Sequence, residues 1–463
     1  MSLQDDGKSL QRDQFTSRIG FILASAGSAI GLGNIWRFPY TAGMNGGGAF
    51  VFVYLFFVIF VAMALLLVEF VIGRHGRSNA VECYRKLSPR FAWVGYLGVL
   101  TSFLLLAFYS VVGGWTIRYA LQACLGRFGG ITPDGAGAFF GNFISGVASP
   151  IAYLFLFMGT TAFIIAQGVA AGIERYSKIL MPVLFILLVV LVLRSVTLPG
   201  ASEGLRWFLQ PDFSKITLGV VVAALAQSFF SLSVGISSMT TYASYLGKEE
   251  NLIQSAFWVA LCDTAIACMA GLVIFPAVFA FSMEPAAGPG LVFITLPAVF
   301  GAMPAGTLFA GAFFILLVIA ALTSSINMME VAVSFFSEKF GGDRKKVASV
   351  YGAVCFVIAV PASLSFGAWK DVTFLGKTVF DSYDYFVSNI ALSLSALMCA
   401  LLVGWVWKKG AVEELSNGGT IRSAYVPFWF WTVRYVSPWA VGIIWLESVG
   451  LLRPLAALVG IDL

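Results

Sequence analysis

The chain has 463 residues, 59% hydrophobic and 11% charged, with a net charge of +5 and a mean hydropathy of +0.90. Soluble domains run at about half apolar and about a quarter charged, so the composition excludes a soluble protein and points to an integral membrane one. A single histidine, His75, excludes histidine triads and multi-histidine metal sites, and the six cysteines, without CxxC spacing, read as small buried hydrophobes.

Apolar runs of membrane-spanning length recur along the chain, which predicts helices rather than the short alternating strands of a barrel. The first 17 residues are polar, and no signal peptide is expected. Eleven spans are expected, at 18–41, 47–73, 91–125, 150–169, 176–196, 216–246, 253–283, 305–338, 347–366, 376–407 and 427–453. Two longer connections stand out: Gly-rich residues 126–149, and residues 284–304, where Pro and Gly suggest a re-entrant or surface hairpin. Placing the N-terminus in the cytoplasm puts 18 of 28 Lys and Arg inside and 8 outside, with Arg37 and Arg434 within spans. That bias obeys the positive-inside rule and sends the C-terminus outside after eleven spans.

The first span carries AGSAIGLGNIWRFPY, Ala26 to Tyr40, in which Gly27, Gly31 and Gly33 stand beside Ser28, Asn34, Arg37 and Pro39. Unwinding a helix in lipid strands polar groups at several kcal/mol each unless they are paired. A cation on the freed carbonyls and an anionic ligand on the freed amides would meet that cost. Close helix packing by small residues is the simpler reading of one glycine, but not of three glycines with Asn34 and Arg37. A second interruption, SFFSLSVGISS (Ser228 to Ser238), lies within the sixth span. The ten leading spans therefore divide into two fives, each starting with a broken helix. Five spans per repeat forces opposite orientations, and paired broken helices mark a transporter's central site. The expected repeats are 18–200 and 216–407 within one transmembrane domain, followed by an extra helix at 427–453.

Other polar features lie within later spans. AALTSSINMM, from Ala320, brings Thr323, Ser324 and Ser325 into one turn, as ligands or as back-bonding hydroxyls. Asp263, mid-span, would cost about 2.5–3.5 kcal/mol on insertion scales and marks an ion or proton path. Glu69 and Arg74 lie near a span end, where snorkelling suffices, and Glu330 is given no role. Gly172 and Pro182 in GIERYSKILMP suggest a stretch that unwinds to admit water from the inside, or else a loop glycine and a tolerated proline.

Residues 18–50, RIGFILASAGSAIGLGNIWRFPYTAGMNGGGAF, closely resemble the first helix of the neurotransmitter:sodium symporter family. The likeness continues through FFSLSVG, YASYL and ALTSSI and covers spans one to ten. It implies an all-α membrane protein with a 5+5 inverted repeat and broken first and sixth helices. It implies one sodium on Ala29, Asn34, Ser231, Asp263 and the substrate carboxylate, and a second on Gly27, Ile30, Ala320, Thr323 and Ser324. The implied substrate pocket takes Ala29, Gly31, Leu32, Gly33, Leu105, Tyr109, Phe230, Ser231, Ser233, Ile236 and Met328. Tyr109 would hold the substrate carboxylate, Phe230 would lid the site, and Ser233 would serve a hydroxyl or cap broken backbone. Arg37 with Asp384 would form an outer gate, and Arg12 with Glu338 an inner one.

Monoamine carriers of the family place an Asp where this chain has Gly31. The resemblance therefore implies a ligand bringing its own carboxylate, a hydrophobic L-amino acid, aliphatic or aromatic. Asp263 stands where many relatives have Asn, implying that chloride is not required, and Ser231 replaces the commoner Thr. The family usually has twelve spans against the eleven expected here. The expected activity is sodium-coupled import by a multi-pass plasma-membrane protein, with no catalytic residue and no nucleic-acid partner. A sodium-coupled sensor with little flux, or a carrier of another small zwitterion, stays open.

Overall fold

The computed structural model describes residues 14–283, 290–452 and 454. Helices dominate because a chain in hydrocarbon must pair its backbone groups within its own segments. The first span consists of α1 (Arg18–Ala29) and α2 (Gly33–Met44), bent by 49° at the intervening break. Next come α3 (Gly48–Gly76), the short α4 (Ala80–Leu87) and α5 (Pro89–Cys124). Then follow α6 (Pro133–Ile144), α7 (Ala148–Ala166), α8 (Val169–Val196) and α9 (Ala201–Leu209). The second broken segment is α10 (Leu218–Ser231) and α11 (Ser238–Ala243). The chain continues through α12 (Leu252–Ala280), α13 (Leu291–Ala302), α14 (Gly306–Phe340) and α15 (Arg344–Leu364). A two-stranded hairpin, β1 (Thr373–Phe374) and β2 (Lys377–Thr378), leads to α16 (Val379–Trp407), α17 (Lys409–Leu415) and α18 (residues 425–448).

Among the described residues, eight unbroken helices are long and apolar enough to cross a membrane, and the bent α1–α2 pair makes nine. The expected sixth span is divided between α10 and α11, each too short alone, and the eleventh is the aromatic-rich α18. Eleven spans are consistent with this arrangement. The long α14 runs through the centre, packed against α1, α5, α7 and α8, while α1 also packs on α12.

The structure narrows three expectations. Of the two alternatives for 284–304, the described part, residues 290–302, fits a re-entrant segment and not a surface hairpin. Leu291, Val292 and Phe293 are buried, with the Phe293 ring 5.2 Å from Tyr119 and 5.4 Å from Phe140, so aromatics of α5 and α6 hold the segment inside. The connection at 126–149 contains α6, started by the Thr132 side chain capping Gly135. Of the cysteines, Cys83, Cys355 and Cys399 are buried as expected, but Cys124 is exposed at the end of α5.

Candidate functional site

The first break begins where Ile30 turns to extended backbone (φ −73°, ψ 102°) after its N–H has bonded the Ala26 carbonyl at 2.7 Å. The chain re-enters helix at Gly33, and Gly33–Arg37 is wound as a π-helix. The break is sealed by side chains. Asn34, fully buried, accepts the Gly31 N–H on Oδ1 at 3.2 Å, and the Tyr109 hydroxyl accepts the Leu32 N–H at 3.2 Å. Gly31 is required by space: a Cβ there would lie 2.3 Å from Ser324 Oγ and 2.8 Å from the Tyr109 hydroxyl.

The second break spans residues 232–237, where Ser233, Gly235 and Ser237 adopt positive φ of 53°, 96° and 58°. Gly235 lies against α16, where a Cβ would meet the Leu392 carbonyl at 2.3 Å. The freed amides are taken by Glu69. Its carboxylate accepts Gly235 N at 2.6 Å, Thr240 N at 3.0 Å and Thr240 Oγ1 at 3.2 Å. Glu69 is fully buried in α3, so snorkelling is the wrong account of it. Arg74 is likewise 1% exposed; its Nε donates to Glu414 Oε1 at 2.6 Å and its Nη1 to the Glu250 carbonyl at 2.6 Å. Both residues sit inside because each has a complete set of polar partners.

Two oxygen clusters flank the breaks. In one, Asn34 Nδ2 donates to Asp263 Oδ1 at 2.7 Å, to the Asp263 carbonyl at 3.1 Å and to Ser231 Oγ at 3.1 Å. Ser231 Oγ donates to Asp263 Oδ2 at 2.6 Å, and the Tyr54 hydroxyl donates to Ser231 at 3.2 Å. Asp263 is wholly buried and no cationic side chain pairs with it among the described residues. In the other, Ser324 Oγ donates to the Ser28 and Ile30 carbonyls at 3.1 and 3.3 Å. Thr323 Oγ1 reaches Ala320 and Ile30 carbonyls at 3.1 and 3.5 Å. Gly27 packs beside this cluster, where a Cβ would lie 3.3 Å from Thr323. Neutral oxygens with at most one carboxylate suit a hard monovalent cation better than a transition metal.

Between the clusters lies a cavity of about 30 Å³ lined by Ala29, Gly31, Gly33, Leu105, Tyr109, Phe230, Ser233, Ile236 and Met328. Nine expected pocket residues thus meet around one space, joined by Ser28, Ser324 and Leu392. Leu32 and Ser231 do not line it: Leu32 faces an outer cavity and Ser231 belongs to the Asp263 cluster.

The outer cavity, about 150 Å³, is lined by Trp36, Arg37, Tyr40, Phe108 and Asp384 and shares Phe230 and Tyr109 with the inner one. Arg37 and Asp384 form no ion pair within 4.0 Å. The Arg37 guanidinium stacks 4.1 Å over the Phe230 ring, and Asp384 accepts Ser388 Oγ at 2.8 Å. At the opposite end Arg12 lies outside the described residues. Glu338 accepts Asn79 N and Nδ2, both at 2.8 Å, and Ser78 Oγ at 3.0 Å.

The Gly172–Pro182 stretch is helical rather than unwound, with Val169–Glu174 wound as a π-helix and Pro182 inside the following helix. Gly172 is packed so that a Cβ would lie 2.3 Å from the Ile164 carbonyl, which accounts for the glycine. From this π-turn Glu174 accepts Thr16 N and Oγ1, both at 2.7 Å, Ser17 Oγ at 2.9 Å and Lys178 Nζ at 2.6 Å. Glu330, fully buried, accepts the Tyr245 hydroxyl at 2.5 Å and Arg344 Nη1 at 3.0 Å.

Sequence reasoning missed Glu69, Tyr54 and Gln227, whose Nε2 donates to the Gly33 carbonyl at 3.1 Å. Glu69 had a signal, a carboxylate in an otherwise unbroken apolar run. Tyr54 and Gln227 had none.

The sodium:neurotransmitter symporter family model matches residues 12–128 and 142–457. A Bacillus subtilis protein named uncharacterized sodium-dependent transporter YhdH is 42% identical over 442 residues, 95% of this chain and 98% of its own. The sodium- and chloride-dependent taurine transporter of Rattus norvegicus is 28% identical over 87% of this chain and 72% of its own. The crystal structure of MhsT in complex with L-phenylalanine superposes with a TM-score of 0.87 at 43% identity, covering 94% of this chain and all of that one. With its paired broken helices, buried oxygen clusters and sequence match along nearly its whole length, the chain belongs to the sodium:neurotransmitter symporter family, a family of multi-pass membrane transporters and not of enzymes.

Proposed function

We propose that this chain carries a hydrophobic L-amino acid inward together with sodium, by alternating access. The observation that carries the reading is the meeting of both breaks at one cavity. Its walls are apolar (Leu105, Phe230, Ile236, Met328), its floor is broken backbone, and oxygen clusters stand on either side. No carboxylate lines that cavity, and Gly31 leaves no room for one. An amine therefore finds no counter-charge, whereas an α-carboxylate meets the Tyr109 hydroxyl and the amides of the first break. The phenylalanine bound by MhsT supports the same class of ligand.

In this reading one sodium is held by Ala29, Asn34, Ser231 and Asp263 with the substrate carboxylate. The second is held by Gly27, Ile30, Ala320, Thr323 and Ser324. Each ion takes over hydrogen-bonding duties that hydroxyls and amides now share, so ion and substrate binding favour each other. The buried Asp263 charge does the work of an anion, and transport does not need chloride. Phe230 closes over the ligand, Arg37 approaches Asp384, and one bundle of helices rocks against the rest, while the Gly172–Pro182 stretch, helical in this structure, unwinds when the inner path opens. The N-terminus lies in the cytoplasm and the C-terminus outside.

Purified protein in liposomes tests this reading. Saturable accumulation of labelled leucine or tryptophan, driven by an inward sodium gradient and competed by apolar amino acids, is expected. Sodium-dependent binding without accumulation would refute transport and leave a sensor. Competition by taurine or another zwitterion alone would refute the substrate class.

A further inference from the structure

A second, larger cavity lies away from both breaks. It measures about 720 Å³, within the range of about 300–1,000 Å³ typical of ligand pockets, and is lined almost wholly by apolar side chains. Its walls come from one face of each of three helices. α5 gives Tyr96, Val99, Leu100 and Phe103; α14 gives Phe335, Phe336 and Phe340; α15 gives Val347, Val350, Tyr351 and Val354. The spacings of three and four residues place each set along one helical stripe, so the cavity is a groove running about 10 Å along the helices. Phe340, Val350 and Val354 are exposed, so the groove opens on the outer surface of the bundle.

Charge at one end distinguishes it from an ordinary lipid-facing surface. Lys339 Nζ sits 5.2–5.8 Å from the Phe335, Tyr96 and Phe340 ring centres, and Lys346 lines the groove. Neither lysine has an ion-pair partner among the described residues. Arg85, although paired with Glu82, donates to the Tyr96 hydroxyl at 3.2 Å from the same side. The cations gather at the end where α14 turns into α15, the end assigned to the cytoplasm by the distribution of basic residues.

We propose that this groove binds one anionic phospholipid of the inner leaflet. An acyl chain lies on the Val, Leu and Phe stripe, and the phosphate sits at Lys339 and Lys346. Zwitterionic lipid fits the stripe but gains less from the two lysines, because each lysine near an anionic surface contributes about a five-fold factor in binding.

The test is native mass spectrometry of the full chain with phosphatidylglycerol or phosphatidylcholine in matched micelles. The wild type is expected to retain one phosphatidylglycerol in preference to phosphatidylcholine. Lys339→Gln/Lys346→Gln is expected to weaken retention of the anionic lipid by about thirty-fold and that of phosphatidylcholine by much less. Val354→Trp, which fills the groove from an exposed position, is expected to lose both lipids. Sodium-dependent thermal protection measured on each variant reports that it remains folded. Equal retention of the two lipids by the wild type, or undiminished phosphatidylglycerol in the double lysine variant, overturns the proposal.

Discussion

Substituting Glu69 by Gln isolates the contribution of a single buried oxygen to the second break. The carboxylate uses one oxygen for the Gly235 amide (2.6 Å) and the other for the Thr240 amide and hydroxyl (3.0 and 3.2 Å). A glutamine supplies one oxygen and turns its NH₂ toward donors, so at least one buried N–H loses its partner. An orphaned buried donor costs about 1–3 kcal/mol, equivalent to about 5- to 150-fold in an equilibrium. Gly235 lies between Ser233 and Ile236, both of which line the central cavity, so the cost falls on the shape of the site. Sodium-dependent binding of labelled tryptophan, by scintillation proximity on purified protein, is expected to weaken by that factor. Thr240→Val removes only the hydroxyl contact and is expected to lose about 0.5–1.5 kcal/mol. Unchanged tryptophan affinity in Glu69→Gln, even with a lowered melting temperature, would refute the reasoning, since the carboxylate would then stabilise the bundle without shaping the pocket.

Gly31→Ala places a Cβ 2.3 Å from Ser324 Oγ. The overpacking cost of about 1–3 kcal/mol is expected to cut uptake at least about five-fold. Gly219→Ala, whose Cβ would meet nothing nearer than 3.7 Å, should match the wild type in the same assay. Asp263→Asn removes the buried charge beside Asn34 and Ser231, and liposome uptake is expected to become dependent on external chloride. Normal uptake without chloride would show that the charge is dispensable. Burial raises the Glu414 carboxyl, but hydrogen bonding from His75 and then the Arg74 charge outweigh it, leaving it below its ordinary 4.5. A depressed carboxyl stabilises the fold above its unfolded value and loses that contribution as pH falls through the lower folded one. The melting difference between wild type and Glu414→Gln should therefore be full above about pH 5 and shrink under stronger acid.

The helices and both breaks were legible because their signals are local: long apolar runs, and glycines and serines clustered where a span should be featureless. The expected pocket residues came from the resemblance and from motif positions, and nine of them surround one cavity. Glu69 and Arg74 were misread because a charge near a span end can always reach water on sequence grounds. Only the fold shows Gly235 and Thr240 waiting for one, and Glu414 and the Glu250 carbonyl for the other. The buried helix α13 was left open between a re-entrant and a surface segment for a similar reason. Its Pro and Gly resemble loop chemistry, while the aromatics that bury it, Tyr119 and Phe140, are more than a hundred residues away in sequence.

Phe230 walls both central cavities and carries the Arg37 guanidinium on its face. A ligand that moves this ring must also alter the energy of Arg37, and whatever fixes Arg37 must alter the ligand's affinity by the same factor. If Phe230 lids the site as proposed, ligands of different bulk are separated twice by one side chain, at the fit of the pocket and again at the ease of sealing it. Rank order in binding and rank order in transport need not agree for this protein. On the proposed function, a large aromatic ligand that binds well while holding the ring off its closed position would act as an inhibitor, and a smaller apolar one as cargo.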